Sequence, residues 1–201
     1  MKKFLLALLA ACVLLTGCGA AQPPEKALDG SKWEESWVTV GNTVGVDTPD
    51  TLTLRDNNEA LASQGMYYAT WSIGEPEPYT NKEGNEVSIY DAQINLLLAG
   101  FREDGGAEKS AAEWLEMAQE QYHVSETRTE TFNGQEYTLL ACTYDSETNP
   151  YTGGAAAFGV YDSQCAAAVE VSCRDTYAGD PMDLLTDFLS RCHIADWSVE
   201  N

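Results

Sequence analysis

Asn133-Gly134 separates two runs of extended sequence, Thr127 to Phe132 and Glu136 to Tyr144. Both turn residues tolerate positive φ, which a tight two-residue hairpin needs if its twist is to match its strands. A second pair follows, Gly154 to Tyr161 and Cys165 to Cys173, joined by the polar turn Asp162-Ser163-Gln164. On the last of these strands Cys165, Ala167, Val169, Val171 and Cys173 face one way. Ala166, Ala168, Glu170 and Ser172 face the other. Asp180-Pro181 then opens a helix, an N-cap acid followed by a first-turn proline. Leu184, Leu185, Phe188, Leu189 and Cys192 form its apolar stripe. Two successive hairpins and an amphipathic helix commit the second half of the chain to an antiparallel sheet with a helix packed on it.

The first half is read by the same rules. Trp37 to Val40 and Thr51 to Leu54 are β-branched and bounded by turn residues, and Asp56-Asn57-Asn58 marks a turn. Met66 to Ile73 alternates, with Tyr67, Ala69, Trp71 and Ile73 on one face. Residues 74–85 are polar and contain prolines and glycines, the composition of a loop. The apolar end of the run Val87 to Phe101 fits a strand covered on both faces, and pattern alone also admits a buried helix. Ser110 and Glu113 make a capping-box pattern, which predicts a helix from Ser110 with Ala111, Trp114, Leu115, Ala118 and Tyr122 on one face. The residues from Trp197 onward read as a tail.

The fold class expected is therefore α+β, an antiparallel β-sheet flanked by two main helices. The order of elements from Trp37 to Ala195 resembles the PsbP/Mog1-like fold, in which a helix precedes a strand with an Asn-Gly turn, a hairpin follows, and a last helix closes the domain. That resemblance implies binding rather than catalysis, and no site motif is present to carry a functional residue over.

The N-terminus supplies an address. Lys2 and Lys3 precede an apolar run from Phe4 to Leu15, the charge and order of a secretory signal peptide. About 12 apolar residues are too few for the roughly 20 that span a bilayer as a helix. The run ends in Leu15-Thr16-Gly17-Cys18, which resembles the lipobox of bacterial lipoproteins. The resemblance implies cleavage before Cys18, a diacylglyceryl group on its sulfur, and a further acyl chain such as palmitate on its amine. Two acyl chains hold a protein stably on a membrane where one does not. The expected organisation is a cleaved leader at 1–17, a lipidated flexible tether at 18–31 and a single α+β domain at 32–201. The domain is then extracytoplasmic, held on the cell membrane by lipidated Cys18.

Charge narrows the partners. Eleven Lys and Arg against 32 Asp and Glu give a formal net charge of −21, which disfavours nucleic acid and anionic membrane surfaces because both require a basic face. The acids are scattered, as on a solvated, self-repelling surface; an acidic patch for a basic partner or for cations is the alternative. Cys142, Cys165, Cys173 and Cys192 follow the anchor, in a compartment that permits disulfides. Cys165 and Cys173 on one strand are about 26 Å apart at 3.3 Å per residue and cannot bond. Cys142 and Cys173 fall two strand spacings apart, roughly 10 Å, again too far. The closing helix must run back along the strand before it, so Cys192 is expected near Cys165, where a disulfide is possible; buried thiols acting as small apolar groups are the alternative.

No catalytic or cofactor motif stands out. His123 and His193 each fall at the end of a helix, where the helix dipole favours a cation. No nucleophile elbow and no Cys-x-x-Cys or His-x-x-x-His spacing occurs. Asp145-Ser146-Glu147-Thr148-Asn149 begins like a calcium loop, but Ala156 stands where a bidentate glutamate is needed. Trp71 and one of Tyr67 and Tyr68 suit the core. Trp33, Trp37 and Tyr79, set among polar residues, are the expected exposed aromatics of a partner surface. Two functions compete: a lipid-anchored binding or accessory module without a cofactor, displayed to a surface protein or wall component, and an extracytoplasmic hydrolase whose site has no sequence signature.

Overall fold

The structure is a computed structural model and describes residues 35–39, 42–46, 52–58, 66–101, 104–145, 149–161 and 165–195. The expected leader and tether, Cys18 and Trp33 lie outside these residues, and Trp37 enters through its backbone alone. Among the described residues no helix is long and apolar enough to cross a membrane.

Among the described residues, twelve strands form three antiparallel sheets, accompanied by two helices. β1 (Glu35–Thr39), β2 (Asn42–Val46) and β12 (Cys192–Ala195) form a small sheet in the order β1-β2-β12. The main sheet contains β3 (Thr53–Asn58), β4 (Met66–Ile73), β7 (Ala92–Gly100), β8 (His123–Phe132), β9 (Gln135–Thr143), β10 (Gly153–Tyr161) and β11 (Cys165–Cys173). Their order is β3-β4-β7-β11-β10-β9-β8. β5 (Glu77–Thr80) and β6 (Glu86–Ile89) make a separate hairpin. α1 (Gly106–Gln121) and α2 (Pro181–Arg191) pack on opposite faces of the main sheet. The α+β class with an antiparallel sheet and two flanking helices is the one expected.

The closing meander β8-β9-β10-β11 follows the sequence pattern closely, because each of its turns is local. Asn133 (φ 50°) and Gly134 (φ 82°) both occupy the left-handed region the hairpin requires. The Asn133 side chain does a second job that no local pattern announces. Its Nδ2 donates to the carbonyls of Leu189, Ser190 and Cys192 at 3.3, 3.2 and 2.9 Å, so the hairpin turn caps the last turn of α2. At the other end of α2, Asp180 accepts from the backbone N–H groups of Met182 and Asp183 at 2.8 and 3.2 Å, as its N-cap position predicts.

Several expectations are corrected. α1 begins at Gly106, a turn before Ser110, because Gly105 (φ 77°) turns the chain into the helix and no side chain caps it. The polar segment 74–85 contains β5, an edge strand on which Pro78 forfeits no internal hydrogen bond. Its turn is closed by the Asn81 side chain, which accepts from Glu83 N and Asn85 N. The run from Val87 to Phe101 is two strands in different sheets, broken at Tyr90-Asp91. Asp56-Asn57-Asn58 continues β3 past a register shift between Leu54 and Asp56 instead of turning. Cys192 starts β12 and does not continue the helix.

Register explains how one sheet serves two purposes. Trp71, Ile94, Val171, Ala155 and Ala141 lie side by side across β4, β7, β11, β10 and β9 on the α2 face. Ala69, Leu96, Val169, Ala157 and Leu139 form the next row. These rows meet Met182, Leu185, Phe188 and Leu189 in the largest apolar cluster, where Phe188 stands edge-on to Trp71 at 5.0 Å. The opposite face carries two apolar rows under α1: Met66, Ala99, Ala166, Val160 and Tyr68, Leu97, Ala168, Phe158. Ala107, Ala111, Trp114 and Ala118 cover them. Both Tyr67 and Tyr68 are buried, one on each face, where one had been expected.

Candidate functional site

Past the C-terminal end of α1 the same face changes character. The next rows are Thr70, Asn95, Glu170, Ala156 and then Ser72, Gln93, Ser172, Gly154, Cys142. Polar side chains on three adjacent central strands form the floor. They are satisfied by one another, as buried polar groups must be. Asn95 Oδ1 accepts from Tyr68 Oη (2.9 Å), Thr70 Oγ1 (3.0 Å) and Gln93 Nε2 (2.9 Å). Thr70 Oγ1 is also 2.7 Å from Tyr68 Oη. Tyr151 Oη donates to Gln93 Oε1 at 3.0 Å, which ties the floor to the small cluster of Val87, Ile89, Tyr151, Tyr79 and Tyr144.

Glu170 is the charged member. Its Oε1 accepts from Tyr122 Oη at 2.8 Å and Tyr144 Oη at 3.1 Å, and these two rings meet edge to face at 5.2 Å. Tyr122 is delivered by the end of α1, where its N–H still bonds Ala118 O. Tyr144 follows β9 and brings its hydroxyl end over Gly154 of β10. Only glycine permits this at position 154, since a Cβ there would overlap the Tyr144 hydroxyl and the Val171 carbonyl. Burial raises the Glu170 carboxyl above the ordinary carboxylate value, and the two tyrosine hydrogen bonds partly oppose that shift. Burial, followed by the charge of Glu170, pushes the Tyr144 hydroxyl up and the Cys142 thiol to about 12.

Between the end of α1 and this floor lies a narrow cleft whose enclosed space is of the order of a water molecule or two. Its exposed lining is almost wholly apolar, with Leu97, Ala118, Ala156, Phe158 and Ala168 among its residues; Tyr68, Asn95, Gln121, Tyr122 and Glu170 also border it. Neither histidine is among the described residues that line it. His123 opens β8, exposed, and His193 lies on β12. Arg55 reaches the far end of the polar rows, where its Nε meets Ser72 Oγ at 2.6 Å and its guanidinium lies 4.8 Å above the Tyr90 ring. Among the described residues no group of three or more His, Cys, Asp or Glu is placed to hold a metal ion.

Cys18 and Trp33 lie outside the described residues. Tyr79, expected to be exposed, is partly buried on β5 against the cluster around Val87, Ile89 and Tyr151, because the loop that was to display it is a packed hairpin. Cys165 and Cys192 both border Tyr137, whose hydroxyl they help to push up after the larger effect of burial. They are free thiols, as are Cys142 and Cys173, so the possible Cys165–Cys192 bridge is not formed in the structure. Burial lifts Cys165, Cys173 and Cys192 to about 12 as well, and a thiol held protonated packs as a small apolar group. Cys142 and Cys173 face opposite sides of the sheet, the first toward Glu170 and the second into the α2 core. The sequence did place Glu170 alone among alanines on one strand face. It could not say that Tyr122 and Tyr144, 48 and 26 residues away, would converge on it.

No protein-family model matches the chain, and no curated protein matches it. Among solved structures it is similar to PsbP (CyanoP) from the cyanobacterium Synechocystis sp. PCC 6803, at TM-score 0.45 and 13% identity over 90% of this chain and 99% of that one. It is also similar to LpqN, involved in cell envelope biogenesis of Mycobacterium tuberculosis, at TM-score 0.48 and 14% identity over 82% of this chain and 90% of that one. A third structure, PA94 from Pseudomonas aeruginosa, a protein of unknown function titled a putative regulator, gives TM-score 0.35 and 12% identity over 58% of this chain and 95% of that one.

Proposed function

We propose that the mature chain is a lipid-anchored, non-enzymatic binding module that works on the outer side of a bacterial cell membrane. The address rests on the leader and Leu15-Thr16-Gly17-Cys18, with two or more acyl chains on Cys18 giving durable attachment. The binding role rests on one observation. The cleft at the end of α1 is floored by hydroxyl, amide and carboxyl groups that hold each other at fixed hydrogen-bond distances. A site pre-ordered in this way loses little freedom when a ligand arrives. The competing hydrolase reading calls for a histidine beside a hydroxyl nucleophile in a cleft, and among the described residues that line this cleft there is no histidine.

Two measurements on intact cells test the two halves separately. Mass spectrometry of the N-terminal peptide is expected to find diacylglyceryl-Cys18, and Cys18→Ser to leave the leader uncleaved. An unmodified N-terminus defeats the anchoring claim. A photo-crosslinking residue at Gln121, on the rim, is expected to capture a partner that the same residue at exposed Glu116 on α1 does not. Equal capture from both positions, or none from either, defeats the binding claim for this cleft.

A further inference from the structure

We infer that the free edge of the main sheet at β8 pairs with β8 of a second copy of this chain, antiparallel, about a two-fold axis at Thr129. Two main sheets then continue into one. This contact needs neither the cleft nor the anchor.

The backbone supplies the edge. Among the described residues β8 pairs with β9 on one side and with no strand on the other. The Asn133-Gly134 turn sets which of its main-chain groups face outward. Such a turn is closed by a hydrogen bond between its flanking residues, Phe132 and Gln135, so Phe132, Glu130 and Arg128 are the residues bonded to β9. By alternation, the N–H and C=O groups of Thr127, Thr129 and Thr131 point away from the sheet, and these three residues are exposed. The opposite edge, β3, is shorter and breaks register between Leu54 and Asp56.

Side chains choose the occupant and the register. Edge strands are commonly protected by charges that repel a copy of themselves. β8 instead alternates in sign, with Glu126, Arg128 and Glu130 partly exposed on its other face. When Thr129 lies opposite Thr129 of the second copy, Arg128 falls opposite Glu130 and Thr127 opposite Thr131, in both directions. The threonine pairs exchange the main-chain hydrogen bonds. Arg128 and Glu130 form the closer kind of antiparallel pair, about 4.5 Å between Cα atoms. Threonine pairs and opposite charges are both favourable across strands. Arg128 is already held at the edge by Glu126 on Nη1 (3.2 Å) and Glu130 on Nε (2.8 Å), and neither contact uses Nη2.

Neighbouring registers fail. An axis at Arg128 sets that arginine against itself. An axis at Thr127 runs the pairing into the register shift between Val124 and Glu126. An axis at Thr131 carries Arg128 off the strand, opposite Gly134. The helices leave room for the contact, because both rest on β10 and β11. About five strand spacings, roughly 24 Å, then separate each helix from its copy, against a helix diameter of about 10–12 Å. The net charge of −21 opposes association at long range, and salt at about 0.15 M confines that repulsion to about 8 Å.

The full chain in neutral detergent, with micelles in excess and about 0.15 M salt, tests the pairing by sedimentation velocity and by mild oxidation of single-cysteine variants. The native chain is expected to sediment as a dimer. Arg128→Glu is expected to weaken that dimer at least tenfold, and the double exchange Arg128→Glu, Glu130→Arg to recover it, because the signs again match across the axis. Thr129→Cys is expected to form a disulfide-linked dimer, since paired Cα atoms about 5.5 Å apart suit the bond. Thr127→Cys alone and Thr131→Cys alone are expected not to, each lying about 14 Å from its own copy. The two mixed are expected to cross-link to each other, with the native protein as the blank. If Arg128→Glu fails to fold, the double exchange and the cysteine pattern decide. A monomer at every concentration, a dimer indifferent to Arg128→Glu, or Thr127→Cys cross-linking to itself as well as Thr129→Cys does, overturns the inference. A different protein trapped by Thr129→Cys in cells, with the purified chain monomeric, also overturns it and gives the edge to another occupant.

Discussion

The two faces of the main sheet are built from alternate residues of the same strands and have opposite fates. On the α2 side, Tyr67, Ala69 and Trp71 of β4 and Ile94, Leu96 and Leu98 of β7 run apolar from end to end, and α2 seals them. On the α1 side, the first two rows are apolar and covered, and the next two are polar and lie beyond the end of the helix. One face is a core throughout. The other is a core for half its length and a site for the rest. A strand can afford a functional face only where its opposite face already supplies the packing, because the period of two keeps the two sets of side chains independent.

Three substitutions probe that contrast, in falling order of effect. Phe188→Ala removes the α2 ring that stands against Trp71 in a fully packed region. It should cost about 3–5 kcal/mol in urea unfolding, with the cavity adding to the lost transfer energy. A loss under about 1 kcal/mol would mean that the α2 face is not the main core. Asn95→Ala acts on the other face and removes the acceptor shared by Tyr68, Thr70 and Gln93. Leaving buried donors unmade costs about 1–3 kcal/mol, so the same assay should give a smaller loss than Phe188→Ala. A larger one would reverse the ranking of the faces.

Glu170→Gln should change little at pH 4 and stabilise at pH 8, read as a difference in Tm between variant and native protein at each pH. The sign follows from linkage. The folded-state pKa of Glu170 is raised by burial, so above the ordinary carboxylate value the unfolded chain holds fewer protons than the native one. Stability then falls as pH rises toward the raised value. Glutamine keeps an acceptor for Tyr122 and Tyr144 and carries no charge. A variant whose Tm advantage is the same at both pH values would show that Glu170 is not desolvated, and the comparison of faces would lose its charged member.

Most of the fold could be read from the sequence, unevenly. β4, the meander from β8 to β11, and α2 were legible because their signals are local: alternation, Asn-Gly, an Asp-Pro cap. The start of α1 was misplaced because the capping-box pattern at Ser110 competes with Gly105, which enters the helix without a side-chain cap. The β5–β6 hairpin was hidden because short edge strands with proline look like loop. The site was the least legible part. Glu170 was visible as an acid on an alanine-rich strand, but its partners come from the end of α1 and from the residue after β9, and no spacing in the chain links them.

The sequence by itself determined the strongly acidic balance, the two hairpins and the amphipathic closing helix, and it carries the N-terminal pattern on which the proposed anchor rests; the hairpins and the helix each depend on residues close together in the chain. The tertiary structure decided which face of β11 became core and which became cleft. It placed the Asn133 amide on the carbonyls of α2, and it left Cys142, Cys165 and Cys173 as buried thiols and Cys192 as a partly buried one. It brought Tyr122 and Tyr144 to one oxygen of Glu170. Those outcomes depend on strand order and register, which bring distant residues within about 5 Å of one another, and a one-residue slip would have sent every one of them to the other face.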